Sequence, residues 1–269
     1  MPAFEAWKGP VGPRGAEFTM QIRISEKRSF YLPIEDFLSL NKPRELYWVT
    51  RFLELNGKEA LLDIACGTGF WTRWLGRKSR YAVGVDINLS RLTQMGQGRK
   101  GKTRFAVASA ESLPFPNNSY DRVVSICALE HFQSDTRALA EMHRVLREEG
   151  LLVLTVDSLS HPAVDAEYRE FHRRKYFVNK YYDAEIIRVR LERAGFETLE
   201  HRFIMSSALT FRFQRFFHGN TRQRAILVPL MLPVSILVDK LAGAANSGMI
   251  LAIKARKKRV SGSQRPQSM

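Results

Sequence analysis

Cysteine is scarce in this 269-residue chain, which holds only Cys66 and Cys127. Two thiols, each ending an apolar run, suit small buried residues in a reducing compartment better than a disulfide framework. Neither Cys-x-x-Cys nor His-x-x-x-His occurs and the six histidines are scattered, so no metal site is expected. A long apolar run is also missing. Residues 225–238, apolar except for Ser235 and broken by Pro229 and Pro233, number fourteen, whereas a bilayer-spanning helix needs about 20. The N-terminus carries Pro2, Gly9, Pro10, Gly12, Pro13 and Gly15 with no continuous apolar segment. That pattern excludes a secretory leader and reads as a flexible arm over 1–20, with Met20 as an alternative start. Acid is short as well, with 27 Asp and Glu against 42 Lys and Arg, a net charge of +15 that calls for an anionic partner. There is no internal repeat or heptad pattern. What remains, 45% apolar residues in a chain of this length, suffices for one substantial core with insertions.

The most informative stretch that is present runs Leu61-Leu62-Asp63-Ile64-Ala65-Cys66-Gly67-Thr68-Gly69, followed nineteen residues after Gly67 by Asp86 at the end of Tyr81-Ala82-Val83-Gly84-Val85-Asp86. The apolar residues predict a buried parallel strand, and the glycines let the backbone turn sharply and approach a ligand. An acid closing the next strand can accept hydrogen bonds from ribose hydroxyls. A dinucleotide fold wants a third glycine where this chain has Thr72, because a pyrophosphate sits on the helix N-terminus. Asp63, four residues before Gly67, would oppose a pyrophosphate but suit an ammonium or sulfonium. The residues therefore favour S-adenosylmethionine (SAM). The bland alternative is a glycine turn with no ligand.

Between Glu59 and Asp157 the chain resembles the class I SAM-dependent methyltransferases, in the methyltransferase type 11 group that includes the quinone-biosynthesis enzymes. Besides the glycine loop and Asp86, the likeness covers residues 110–121, the strand Val123 to Cys127 leading into Leu129-Glu130-His131, and residues 139–150. It implies that Asp63, Gly67 and Gly69, with Ala65 between them, surround the methionine part of SAM. Asp86 would hold the ribose and Ile87 would pack on the adenine. Ala110 and Glu111 would border the adenine edge, and Cys127 would end the strand beside the glycine loop. The family often has an acid two residues before Glu111, where this chain has Ser109. The adenine amino group then falls to backbone or to the Ser109 hydroxyl.

Strands are expected over 61–66, 81–86, 103–107, 121–127, 150–157, 196–205 and 248–254. Helices are expected over 70–77, 89–95, 134–147 and 183–194. Alternating elements with short turns predict an α/β fold, a Rossmann-like doubly wound sheet covered by helices on both faces. The resemblance makes it seven strands, six parallel and the last antiparallel, with an insertion between strands six and seven. Residues 21–58 read as an N-terminal helical cap and 59–205 as the SAM-binding core with a substrate-side insertion over 158–182. Residues 206–247 form the second insertion, 248–255 the last core strand and 256–269 a basic disordered tail.

The second insertion opens with Phe211-Arg212-Phe213-Gln214-Arg215-Phe216-Phe217. From residue 206 to 269 there are eleven Lys and Arg against one acid, Asp239, so this region carries +10 of the +15. Charge beside an apolar and aromatic patch is what an anionic membrane surface binds, and 206–259 is read as that contact. Nucleic acid competes through Arg256-Lys257-Lys258-Arg259, and a solvated tail beside a core helix is the third reading. A cytoplasmic protein, peripheral on the inner membrane face, is the expected location.

SAM carries its own activation, so alignment dominates and a base matters only when the acceptor is protonated. His131, next to Glu130 after the fourth strand, is the candidate base or orienting group. His161, Tyr181 and Tyr182, with Tyr168, are candidates to line the acceptor pocket. The absence of Asn-Pro-Pro-Tyr and of a Pro-Cys pair weighs against methylation of nucleic-acid bases. The leading expectation is methyl transfer to oxygen or carbon of a small-molecule or lipid-linked acceptor. The alternatives are an RNA methyltransferase anchored by the basic C-terminal region and a non-catalytic SAM-fold binding protein.

Overall fold

The structure, a computed structural model, describes residues 4–8, 19–23, 40–94, 102–216, 221–241 and 246–259. Phe4–Lys8 (β1) and Thr19–Arg23 (β2) pair antiparallel, with Phe4 opposite Arg23 and Lys8 opposite Thr19. The arm expected to be flexible therefore contains strand pairing. Gly9, Pro10, Gly12, Pro13 and Gly15 lie in sequence between the two strands. The helical cap is seen from residue 40 onward as α1 (Lys42–Leu53), with a proline in its first turn. Residues 24–39 of the expected cap lie outside the described residues.

The core follows as β3 (Ala60–Ile64), α2 (Phe70–Gly76), β4 (Tyr81–Asp86), α3 (Leu89–Gln94), β5 (Thr103–Val107) and β6 (Tyr120–Ile126). A 3-10 turn (Leu129–His131), α4 (Asp135–Val145), β7 (Leu146–Asp157), α5 (Ala166–Tyr176), α6 (Ala184–Arg193) and β8 (Phe196–Ile204) continue it. The chain then forms α7 (Ala208–Phe216), α8 (Thr221–Leu241) and β9 (Ile250–Lys257). The sheet order is β5-β4-β3-β6-β7-β9-β8. The first five strands are parallel, and β9 runs antiparallel to both neighbours. This is the seven-stranded, doubly wound sheet the sequence predicts.

Alternation along the strands builds a core on each face. Leu62, Ile64, Val123, Leu152 and Leu154 join Leu139 and Met142 on one side. Their chain neighbours Leu61, Val124 and Val153 join Val49 and Phe52 of α1 on the other. Each fully buried aliphatic side chain contributes about 1.5–3 kcal/mol. Ser134, Asp165 and Asp183 cap α4, α5 and α6 by accepting from the backbone N–H three residues on.

Two expectations about the C-terminal region change. Pro229 and Pro233 do not break the apolar run, because α8 passes through both. Both are exposed and four residues apart, so the missing N–H groups fall on one outer face. Among the described residues no helix is long and apolar enough to cross a membrane. The basic tract is also not a free tail. Arg256 and Lys257 belong to β9, where Arg256 bonds Glu197 at 2.7 Å and the buried Lys257 donates to the Leu146 carbonyl at 2.8 Å.

Candidate cofactor and acceptor site

The chain winds outward from β3 to β4 and β5, then crosses back to β6, so the sheet's switch point lies between β3 and β6. Ligands of such sheets bind in the crevice at the carboxyl ends of these strands. Here β3 runs into the glycine loop, where Ala65, Gly67 and Gly69 all have left-handed backbone, with φ of 59°, 58° and 79°. Gly69 then caps α2. Asp86, at the end of β4, is buried and fixes the loop: one carboxylate oxygen accepts from Gly67 N at 2.8 Å and the other from Asn88 N at 2.8 Å. Each oxygen retains a lone pair for a further hydroxyl.

A cofactor fits this arrangement on two counts. A Cβ placed on Gly67 would meet no atom of the described residues within 4 Å, so the loop's outer side is open toward them. Beside it Ile87 is 74% exposed, a large apolar side chain free to cover a flat ring. Asp63, expected to border the methionine part of SAM, lies in β3 just before the loop. It is buried beneath the loop, where it accepts from the Thr72 hydroxyl at 2.5 Å, and burial pushes its pKa up to about 7. Its contact is with the first turn of α2, so Thr72, which replaces the third glycine, is a partner of Asp63. Ala110 and Glu111 lie half-buried in the loop after β5, and the Glu111 carboxylate accepts from Ser134 N at 2.9 Å. The Ser109 hydroxyl accepts from Glu111 N at 3.2 Å.

Across the switch point, Cys127 continues β6 with left-handed φ (45°), and its N–H donates to the Thr155 carbonyl of β7 at 2.9 Å. Glu45 of α1 reaches down between these strands. One of its oxygens accepts from the Cys127 thiol at 2.8 Å and from the Thr155 hydroxyl, and the other pairs with Lys42 at 2.8 Å. Glu130 and Asp157 complete the cluster: Asp157 N donates to Glu130 Oε1 at 3.3 Å, while Glu130 Oε2 is buried with no hydrogen-bond partner among the described residues. Cys127, Glu130 and Asp157 bring their ligand atoms within 4.8 Å of one another. Burial pushes Glu130 and Asp157 well above the ordinary carboxyl range, with Lys42 opposing the shift at Asp157. His172 of α5 faces Asp157 at 3.8 Å and shares a 3.2 Å contact with the Tyr181 hydroxyl.

The sequence-derived acceptor residues divide on this geometry. Tyr181 lies at the cluster through His172, but Tyr182 is a correction: it is fully buried and donates to Asp135 at 2.9 Å, since successive residues of an extended segment point opposite ways. Tyr168 is core, packed edge-on against Phe211 at 5.0 Å. His161 stays in the loop after β7, with Nδ1 accepting from Ala163 N at 3.0 Å. The His131 ring turns outward to the Phe177 carbonyl at 3.2 Å, and desolvation lowers its pKa. Its neighbour Glu130 is the group that enters the cluster. Sequence reasoning missed Glu45, Thr155, Asp157 and His172 as site residues. Asp157 had a readable signal, because it ends an apolar strand as Asp86 does.

The description "methyltransferase domain" belongs to the family model that matches residues 62–154. A ubiquinone/menaquinone biosynthesis C-methyltransferase of Hahella chejuensis is 34% identical over 172 residues, covering 55% of this chain and 68% of that protein. A demethylmenaquinone methyltransferase of Thermotoga maritima is 34% identical over 134 residues, covering 49% of this chain and 57% of that one. Across several other curated relatives the chain spans about half of their length or less. Among solved structures, phosphoethanolamine N-methyltransferase 2 of Haemonchus contortus in complex with SAM shares the fold, with a TM-score of 0.61 and 16% identity over 86% of this chain and 59% of that one. With the switch-point crevice, the open glycine loop and the Asp86 carboxylate in place, the chain belongs to the class I SAM-dependent methyltransferases.

Proposed function

We propose that this protein methylates oxygen or carbon of a small-molecule or lipid-linked acceptor, a quinone-type ring being the acceptor class named for its relatives. SAM supplies an electrophilic methyl group on a sulfonium that leaves as a neutral thioether. Methylation at oxygen or carbon releases a proton from the acceptor, and that proton needs a destination. The observation that carries the reading is the Glu130–Asp157 pair at the carboxyl ends of β6 and β7. Burial raises the Asp157 carboxyl to about 7, so that its ionised form takes a proton more readily than an ordinary carboxylate does, and His172 faces it at 3.8 Å. Glu45 and α1 cover the same strand ends and would exclude water from the reacting atoms.

The test is transfer of labelled methyl from SAM to lipid extracts and quinone precursors, alongside RNA. Label is expected in the lipid or small-molecule fraction. Asp157→Asn should lower turnover by about 10²–10⁴-fold while calorimetric SAM affinity stays within a few-fold of the native value. Asp86→Ala should instead weaken SAM binding by about 1–3 kcal/mol. Label entering RNA alone, or tighter binding of NAD than of SAM, would overturn the reading.

A further inference from the structure

Helix α8 presents two unlike faces. Inward, Val228 packs with Leu40, and Arg44 of α1 donates to Ser235 at 2.9 Å and Asp239 at 2.8 Å. Outward, Leu230, Leu237 and Leu241 are 64%, 55% and 77% exposed, with Val234, Ile236, Pro229 and Pro233 exposed among them. Spacings of three and four residues put these side chains on one helix face. Helix α7 adds the exposed Phe216. Phe211, by contrast, is core at 2% exposure, so the surface is not the aromatic stripe the sequence suggests.

Charge identifies the occupant. Arg212 and Lys240 are exposed on the same two helices, and the sequence places Arg222 and Arg224 in the first turn of α8. The single acid of the region, Asp239, is engaged by Arg44, Ser207 N and the Thr210 hydroxyl. An apolar face with cations and no free acid matches an anionic lipid surface: hydrocarbon takes the leucines and lipid phosphates take the cations. The two prolines leave backbone carbonyls without their helical donors on that outer face, which suits the hydrated headgroup boundary and not the bilayer centre.

We propose that the outer face of α8 docks in the interface of an anionic bilayer. Arg44 joins this helix to α1, whose Glu45 sits at the Cys127–Thr155 cluster, so α1 links the docking helix to the acceptor side.

The full chain should pellet with phosphatidylcholine vesicles containing about one third phosphatidylglycerol, and should bind pure phosphatidylcholine weakly. Added salt should weaken the attachment without abolishing it, because apolar burial is not screened. The L230S/L237S/L241S variant should lose about tenfold or more of the partitioning with its melting temperature little changed. A polarity-sensitive dye on Leu237→Cys should brighten with anionic vesicles, a reading independent of that variant's folding. Failure to pellet at low salt, pelleting equal in the triple variant, or binding that salt removes entirely would each overturn the proposal. So would a concentration-dependent dimer that the triple variant dissolves while vesicles are ignored.

Discussion

Gly67 and Gly69 lie two residues apart in one loop, both left-handed, yet they answer to different constraints. A Cβ on Gly69 would overlap the Phe105 ring, so the fold itself forbids a side chain there. A Cβ on Gly67 would point into open space, which leaves only the cost of the backbone conformation, about 1–2 kcal/mol. Gly69→Ala is therefore expected to lower the melting temperature without any ligand, with a loss of about 1–3 kcal/mol. Gly67→Val should remain folded but bind SAM far more weakly, its branched side chain taking the ligand's space. Calorimetry and melting curves on the two variants separate the roles. Native SAM affinity in Gly67→Val would reduce that glycine to a turn residue.

At the scale of elements, α1 and α8 are tied by one buried guanidinium. Arg44→Ala removes its bonds to Ser235 and Asp239, leaving Asp239 with Ser207 N and the Thr210 hydroxyl as partners. The expected cost is about 1–3 kcal/mol, concentrated where the two helices meet. Hydrogen exchange should quicken over 221–241 and leave β3 and β4 unchanged, and equal exchange in α8 would deny it that anchor. The first strands of the sheet were legible because each is a short apolar run closed by Gly or an acid, as in residues 61–67 and 81–86. Helix α8 was not, since its outer face is as apolar as its inner face and its prolines read as breaks. Asp86 could be read from one strand's end. Glu45 could not, because its place beside Cys127 joins residues 82 apart and depends on where α1 lands.

For the whole molecule, the buried carboxyls set the dependence of stability on pH. A carboxyl whose folded pKa exceeds its unfolded value holds its proton more tightly in the native state, so stability falls as pH climbs between the two. For Asp63 that window runs from 3.8 to about 7, and burial shifts Glu130 and Asp157 in the same direction. His131 and His143 work the other way: desolvation lowers both, and their contribution grows as pH rises toward 6.5. They are partly exposed while the three carboxyls are deeply buried, so the carboxyls should prevail. Below their ordinary values, Asp135 and Glu141 lose the ion pairs and hydrogen bonds that hold their pKa values down, and the growing positive charge of a +15 chain repels itself. Denaturation midpoints are therefore expected to peak near about pH 5 and decline toward pH 8. Asp63→Asn keeps an oxygen for the Thr72 hydroxyl but cannot ionise, so it should flatten the decline and gain most above pH 7. A native protein that grows steadily more stable from pH 5 to 8, with Asp63→Asn following the same curve, would mean that these carboxyls are ionised and satisfied in the folded state.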